Sequence, residues 1–223
     1  TREIVKIIRD EGIMKAMICD ENKPLEECLR ELKEYEVNEN PVEEVSCKKM
    51  WYSRTANPLY TVVVIDLGVK TSVVKKINEY GLNVVVVPYN TKLEDIKKLK
   101  PNGVIISNGP SNPNKMNDTV ELVKSLKGKY PLLGLGLGAD LLALTYDAKV
   151  TKMKHGHQGA NLSVRNVNTN KIEITSQTHF YSIDVTNATK IKVTHENVID
   201  KDVEAFIDEK GKVSLSRKEL LPK

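Results

Sequence analysis

Long apolar runs are missing from this sequence: Val62–Ile65 and Val84–Val87 are typical of the longest, far short of the roughly 20 residues that cross a bilayer. The N-terminal stretch TREIVKIIRDEG is charged and has no apolar region of the signal-peptide kind. Neither a membrane span nor a secretory signal is expected from these features. Basic blocks are missing too. The formal net charge is +4, but lysines and acids are interspersed, as in KLEDIKKLK at Lys92–Lys100. That pattern reads as a solvated surface and not as a nucleic-acid patch. Cysteine is scarce: Cys19, Cys28 and Cys47 are an odd number in no metal-type spacing. This argues against a disulfide framework and for reduced thiols inside a cell, with Cys28 on a helix face beside Leu25, Leu29 and Leu32.

What is present suffices for one sizeable core and a small appended unit: 223 residues, 40% of them hydrophobic, where single domains hold about 100–200 residues. Residues 1–36 read as helix, strand, helix. TREIVKIIRDEG has apolar positions at helical spacing, IMKAMIC alternates, and PLEECLRELKEY begins with proline and returns to leucine every three or four residues. Asn38–Tyr60 shows little periodicity and carries the turn signals Asn40-Pro41 and Asn57-Pro58, so it reads as a linker.

From Tyr60 the grammar changes to apolar, β-branched runs separated by amphipathic helices: TVVVID, LNVVVVPY, GVIISNG and PLLGLG, with helices near 69–80, 93–99 and 118–127. Strands apolar on both faces, alternating with helices, predict a parallel sheet covered on both sides, with ligands at the carboxyl ends of its strands. KVTKMKH, KIEITSQ, FYSIDV, KIKVTHE and DVEAFID then follow one another without long helices. They read as antiparallel additions to that sheet. The expected fold is therefore a doubly wound, mostly parallel α/β sheet with an antiparallel extension, preceded by a short α/β segment.

GLGLGAD at Gly134–Asp140 lies directly between an apolar strand, PLL, and an amphipathic helix, LLALTY. Glycine at every second position serves a strand-to-helix turn too tight for side chains beside its apex. The apex is Gly136. In hydrolases of this build the apex carries the nucleophile, aimed at a helix N-terminus whose amides favour negative charge. A nucleotide-binding turn is the alternative, but its usual spacing has two residues before the last glycine, and it follows the first strand, not the fourth.

With these residues the chain resembles the small, glutamine-hydrolysing subunit of carbamoyl-phosphate synthetase, a class I (triad) glutamine amidotransferase. The resemblance runs from Thr1 to about Asp208. It rests on TREIVKIIRDEGIMKAMI, VVVIDLGVK, VVVVPYNT, NGVIISNGPSNP, PLLGLGLGADLLAL, KVTKMKHGHQGANLSV, IEITSQTHFYSID and VTHENV, in family order. The family's elbow reads Gly-Ile-Cys-Leu-Gly-His-Gln, so the resemblance puts Gly136 at the position of the nucleophilic cysteine, Ala139 at that of the histidine and Asp140 at that of the glutamine. The oxyanion-side loop, usually Asn-Gly-Pro-Gly-Asp-Pro, keeps Gly109 but has Ser111 in place of a glycine. The glutamine-gripping Ser-Gln-Asn-His-Gly-Phe becomes Ser176-Gln177-Thr178-His179-Phe180-Tyr181. The family's base and its orienting acid come from a His-Pro-Glu motif on a late strand; residues 213–219 here read VSLSRKE, and no histidine follows His195.

The resemblance thus implies a former substrate pocket at Gly109, Ser111, Gly136, Leu137, Asp140, Thr178, Phe180 and Tyr181, with no catalytic residue, no cofactor and no metal. It divides the chain into residues 1–45, the remnant of the subunit's N-terminal domain, residues 46–59 as linker, and an amidotransferase-like domain at 60–223. Glu219–Lys223 would begin a connector to a fused synthetase. The expected function is an inactive glutaminase-like domain, the structural or regulatory partner of a carbamoyl-phosphate synthetase subunit or domain. Its expected location is the cytoplasm, or the mitochondrial matrix for an ammonia-dependent type. The competing expectations are residual or altered hydrolase activity and small-ligand binding in the old pocket. His155, His157, His179 and His195 read as packing and loop residues: His155-x-His157 has no third ligand at an obvious spacing. Ser107 and Ser176, the candidate substitute nucleophiles, sit on no elbow.

Overall fold

The computed structural model describes residues 2–38, 40–188, 190–208 and the strand at 214–216. Its centre is a five-stranded sheet in the order β1-β3-β2-β4-β5. The strands are β1 (Trp51–Ser53), β2 (Tyr60–Asp66), β3 (Leu82–Pro88), β4 (Gly103–Ile106) and β5 (Leu132–Gly134). All pairings are parallel except the edge strand β1, which runs antiparallel to β3. The helices between them are α4 (Thr71–Glu79), α5 (Leu93–Lys98) and α6 (Asn117–Leu126).

The valine-rich strands are buried on both faces because successive side chains point to opposite sides of the pleat. Val63, Ile65, Val85, Val87, Val104 and Ile106 join the larger core, while Val62, Val64, Val84, Val86 and Ile105 form a second core against α4. Helix α7 (Leu137–Leu144) follows β5 directly, and seven of its eight residues are buried. Its sequence, LGADLLAL, is apolar nearly all round, as a helix enclosed by other elements requires. From β2 the chain turns to β3 on one side and later to β4 on the other. That reversal places the crevice at the carboxyl ends of β2, β4 and β5.

The second half departs from the expected extension of one sheet. Strands β6 (Lys149–Asn166), β7 (Ile172–Asp184), β8 (Ile191–Asn197), β9 (Val203–Asp208) and β10 (Ser214–Ser216) form a sheet of their own, antiparallel throughout, in the order β10-β9-β8-β6-β7. It meets the first sheet where β10 comes alongside β5. It also curls, so that β9 approaches β7 although β8 and β6 lie between them in the hydrogen-bonded order.

Two local expectations are corrected. Helices α1 (Arg2–Glu11) and α2 (Leu25–Glu34) form as the periodicity predicts, but no strand forms at Ile13–Cys19. An alternating pattern makes a strand only where a partner supplies the ladder and a cover. The amide of Ile13 donates to the Lys154 carbonyl, 3.1 Å, and Ile13, Met14, Met17 and Ile18 remain exposed. The segment 46–59, expected as a linker, contributes β1 to the central sheet. Just before it, the short helix α3 (Val42–Val45) buries Val42 completely in the larger core. Asp66 at the end of β2 holds this segment: it accepts from the Cys47 amide at 2.8 Å and from the amides of Gly68 and Val69 at 2.9 and 2.8 Å.

Candidate active site

Three loops converge at the carboxyl ends of β2, β4 and β5. Their junction is Ser107, fully buried, whose hydroxyl accepts from the Leu67 amide and donates to the Asn108 carbonyl, both at 2.9 Å. Its backbone amide donates to the Ile65 carbonyl and its carbonyl accepts from Gly138. A hydroxyl committed in this way is a structural tie, not a nucleophile.

The elbow is built as the glycine spacing predicts. Gly136 has φ 52° and ψ −117°, a conformation that side-chain-bearing residues adopt only under strain. A Cβ at Gly134 would lie 2.5 Å from the Gly138 carbonyl oxygen, and one at Gly138 would lie 2.1 Å from that of Ile106. The positions two residues to either side of the apex must therefore be glycine for α7 to leave β5 so abruptly. The first-turn amides are used within the fold: Gly138 donates to the Ser107 and Leu135 carbonyls, and Ala139 and Asp140 donate to that of Gly136.

Of the residues expected in the former pocket, the structure brings Gly109, Gly136 and Leu137 together. A Cβ on Gly109 would meet the Leu67 carbonyl at 2.1 Å and the Leu137 side chain at 3.0 Å, and one on Gly136 would meet the Asn108 Cβ at 3.3 Å. Asp140 is buried inside α7, and Tyr181 packs against the larger core. Ser111 is directed elsewhere: its buried hydroxyl accepts from the Val42 amide at 3.1 Å and donates to the Asn40 side chain at 3.0 Å. It fastens the N-terminal segment to the domain and does not narrow the oxyanion loop as a side chain there suggests. Thr178 is exposed, and the Phe180 ring lies against Gly156.

The apex geometry carries a direct test. Gly136→Cys would place a side chain in a conformation costing about 1–3 kcal/mol, which for a chain of this size lowers the melting temperature by roughly 2–10 °C. The new thiol, at a helix N-terminus, should react with an alkylating reagent. An unchanged or higher melting temperature in a calorimetric scan would show that the elbow carries no strain.

A second polar group lies in the curled sheet, built on two of the histidines that the sequence reads as packing and loop residues. His157 and His179 face each other across β6 and β7. A bulge between Lys152 and His157 aims the first of them. It depends on Gly156, at φ +71°, where a Cβ would stand 2.5 Å from the His179 carbonyl oxygen. His157 Nδ1 is 3.2 Å from His179 Nε2 and 3.1 Å from Glu204 Oε1, while its Nε2 donates to Asp200 at 2.7 Å. Hydrogen bonding to Glu204 and then to Asp200 pushes His157 up to about 9, against the opposing effect of burial. His179 donates from Nδ1 to the Tyr181 carbonyl, 3.0 Å. Asp202 accepts from the Ser182 hydroxyl at 2.6 Å, and Asn197 donates to Glu204 at 3.4 Å. His155, two residues away, is exposed, because the bulge breaks the alternation that would have put both histidines on one face.

Comparison with known proteins gives this chain a family. The model for "Glutamine amidotransferase class-I" matches residues 63–215. The "Carbamoyl phosphate synthase small chain" of Staphylococcus saprophyticus is 41% identical over 208 residues, covering 92% of this chain and 56% of that protein. The pyrimidine-specific small chain of Bacillus subtilis is 35% identical over 206 residues, with the same two coverages. The chain thus spans about half the length of these curated relatives. Among solved structures, a glutamine amidotransferase of Thermotoga maritima superposes with a TM-score of 0.56 at 16% identity, covering 72% of this chain and 75% of its own. A glutamine amido transferase of Methylobacillus flagellatus gives 0.58 at 13%, covering 75% and 71%. These two likenesses speak for the fold alone.

Proposed function

Because the chain belongs to the class I glutamine amidotransferase family, whose model spans most of it, we propose that it is a glutaminase-type domain without glutaminase chemistry, a structural or regulatory partner of a carbamoyl-phosphate synthetase subunit or domain. One observation carries this reading: the elbow keeps the backbone geometry that presents a nucleophile, with φ 52° and ψ −117°, and its apex residue is glycine. In the family a thiol at this point attacks the glutamine amide carbon, releasing ammonia and leaving a thioester that water cleaves. Gly136 offers no atom for that bond. Where the resemblance puts the family's histidine base, residues 213–219 read VSLSRKE, which offers no imidazole.

The partner is read from the relatives, which are named as small chains of carbamoyl phosphate synthase and match 92% of this chain. A domain can keep its docking surface after losing its chemistry, because the two reside on different residues. In the assembly, the synthetase would take free ammonia in place of glutamine nitrogen.

The test mixes this protein with a bacterial carbamoyl-phosphate synthetase large chain, follows complex formation by sedimentation, and assays synthesis with ammonia and with glutamine as nitrogen source. A complex that supports synthesis from ammonia and not from glutamine is expected. Glutamine-dependent synthesis would overturn the loss of chemistry, and no complex at any ratio would overturn the partner.

A further inference from the structure

The group in the curled sheet takes no part in the elbow, and we propose that His157, His179, Asp202 and Glu204 form a binding site for one divalent cation of the zinc type. Each offers one ligand atom, all four atoms lie within 4.8 Å of one another, and His179, Asp202 and Glu204 are buried. The donor set of two imidazoles and two carboxylates suits zinc and its first-row neighbours; Mg2+ and Ca2+ prefer sites built of oxygen alone.

The geometry is already close to what the ion requires. With bonds of about 2.0–2.1 Å, the donor atoms of a tetrahedral site stand about 3.3 Å apart. His157 Nδ1 is 3.2 Å from His179 Nε2 and 3.1 Å from Glu204 Oε1, and His179 Nε2 is 3.6 Å from Glu204 Oε2. The two imidazole nitrogens thus stand at the edge length of a tetrahedron, and Glu204 presents one carboxylate oxygen to each of them, so a small rotation of that carboxylate sets a single oxygen at the third corner. Asp202 closes the fourth corner by turning its carboxylate about a soft torsion.

Each imidazole is held from behind in the manner of a metal ligand. His157 donates from Nε2 to Asp200, and His179 from Nδ1 to the Tyr181 carbonyl. These bonds fix the ring orientations and point the other nitrogens at the shared centre. Charge argues the same way, since Asp200, Asp202 and Glu204 crowd two imidazoles and a dication balances two carboxylates that are costly to bury. A cavity of about 30 Å³, lined in part by Gln177, His195 and Glu204, adjoins the group; this is room for a water beside the ion. The ligands come from β6, β7, β9 and the residue just before β9, so the ion would clasp the curl of the sheet.

The experiment uses the full chain, stripped with a chelator and titrated with Zn2+ in a calorimeter, with metal content and melting temperature measured on the same samples. One Zn2+ per chain is expected, with a rise in melting temperature that Mg2+ does not reproduce. His179→Ala and Glu204→Gln should abolish binding. Asp200→Asn, at an exposed turn where the fold is not at risk, should weaken it about 10–100-fold. His155→Ala and the double variant Cys19→Ser, Cys28→Ser should bind as the parent does. The proposal is overturned if no stoichiometric binding occurs, which would leave only a proton-linked network of side chains. It is equally overturned if binding survives in both Asp200→Asn and Glu204→Gln at parental strength, or disappears with the cysteines.

Discussion

Incubated with glutamine, the protein is expected to release ammonia no faster than buffer does. Removing the nucleophile from enzymes that work through a covalent intermediate costs factors of about 10⁴–10⁶ in rate, because the remaining groups have no bond to assist. The three thiols in the chain do not replace the missing one. Cys47 is pushed up to about 11, by burial first and by its hydrogen bond to Asp66 second, so at neutral pH it is a thiol and a poor nucleophile. Cys28 is buried on α2 and also raised, chiefly by the hydrogen bond its thiol donates to Cys19. Neither Cys19, in the N-terminal segment, nor Cys28 belongs to the three loops that form the elbow crevice. A coupled ammonia assay decides the matter. Turnover that is blocked by a glutamine-like affinity label, with the label mapped to a cysteine, would refute the loss of chemistry.

Gly138→Ala is expected to cost on the order of 4 kcal/mol or more, in the range reserved for severe steric damage to a core. The added methyl would stand 2.1 Å from the Ile106 carbonyl oxygen and 2.9 Å from that of Ser107. Both are backbone atoms of the central sheet and its crevice, and neither can rotate away as a side chain would. Helix α7 would have to leave the sheet, exposing Leu141 and Leu142, both fully buried. A melting temperature lower by roughly 10 °C or more follows for a chain of this size. Gly103→Ala is the comparison: its nearest neighbour, the Pro131 carbonyl oxygen, is 3.4 Å away, an ordinary contact, so a change below about 1 kcal/mol is expected. Equal melting temperatures for the two variants would show that the elbow is not closed by that approach.

The parallel sheet and the elbow were legible because their causes are local. Val62–Ile65 and Val84–Val87 declare strands buried on both faces, and GLGLG declares a turn in which a side chain has no room. What failed depends on partners far along the chain. IMKAMIC alternates like a strand, but no ladder is there to receive it. Residues 46–59 have no periodicity, yet Trp51–Ser53 are recruited as an edge by β3, whose pairing decides their structure. Ser111 was placed by its position in a loop motif, whereas its side chain answers to Asn40 and Val42. The histidine and carboxylate group is hardest of all to foresee. Its members lie at 157, 179, 202 and 204, and only the curl of the second sheet, with a glycine bulge that separates His155 from His157, gathers them.

Helix α7 leaves β5 through a backbone corner that any side chain would strain and a glycine occupies freely. Relative to the same chain with a side chain at that corner, this protein therefore holds a reserve of about 1–3 kcal/mol. A typical single substitution destabilises by about 0.5–3 kcal/mol, so the reserve is worth roughly one such change elsewhere in the molecule. Glycine at residue 136 is in this sense a source of mutational tolerance: it widens the set of neighbouring sequences that still fold, and with it the freedom of this domain's surface to vary.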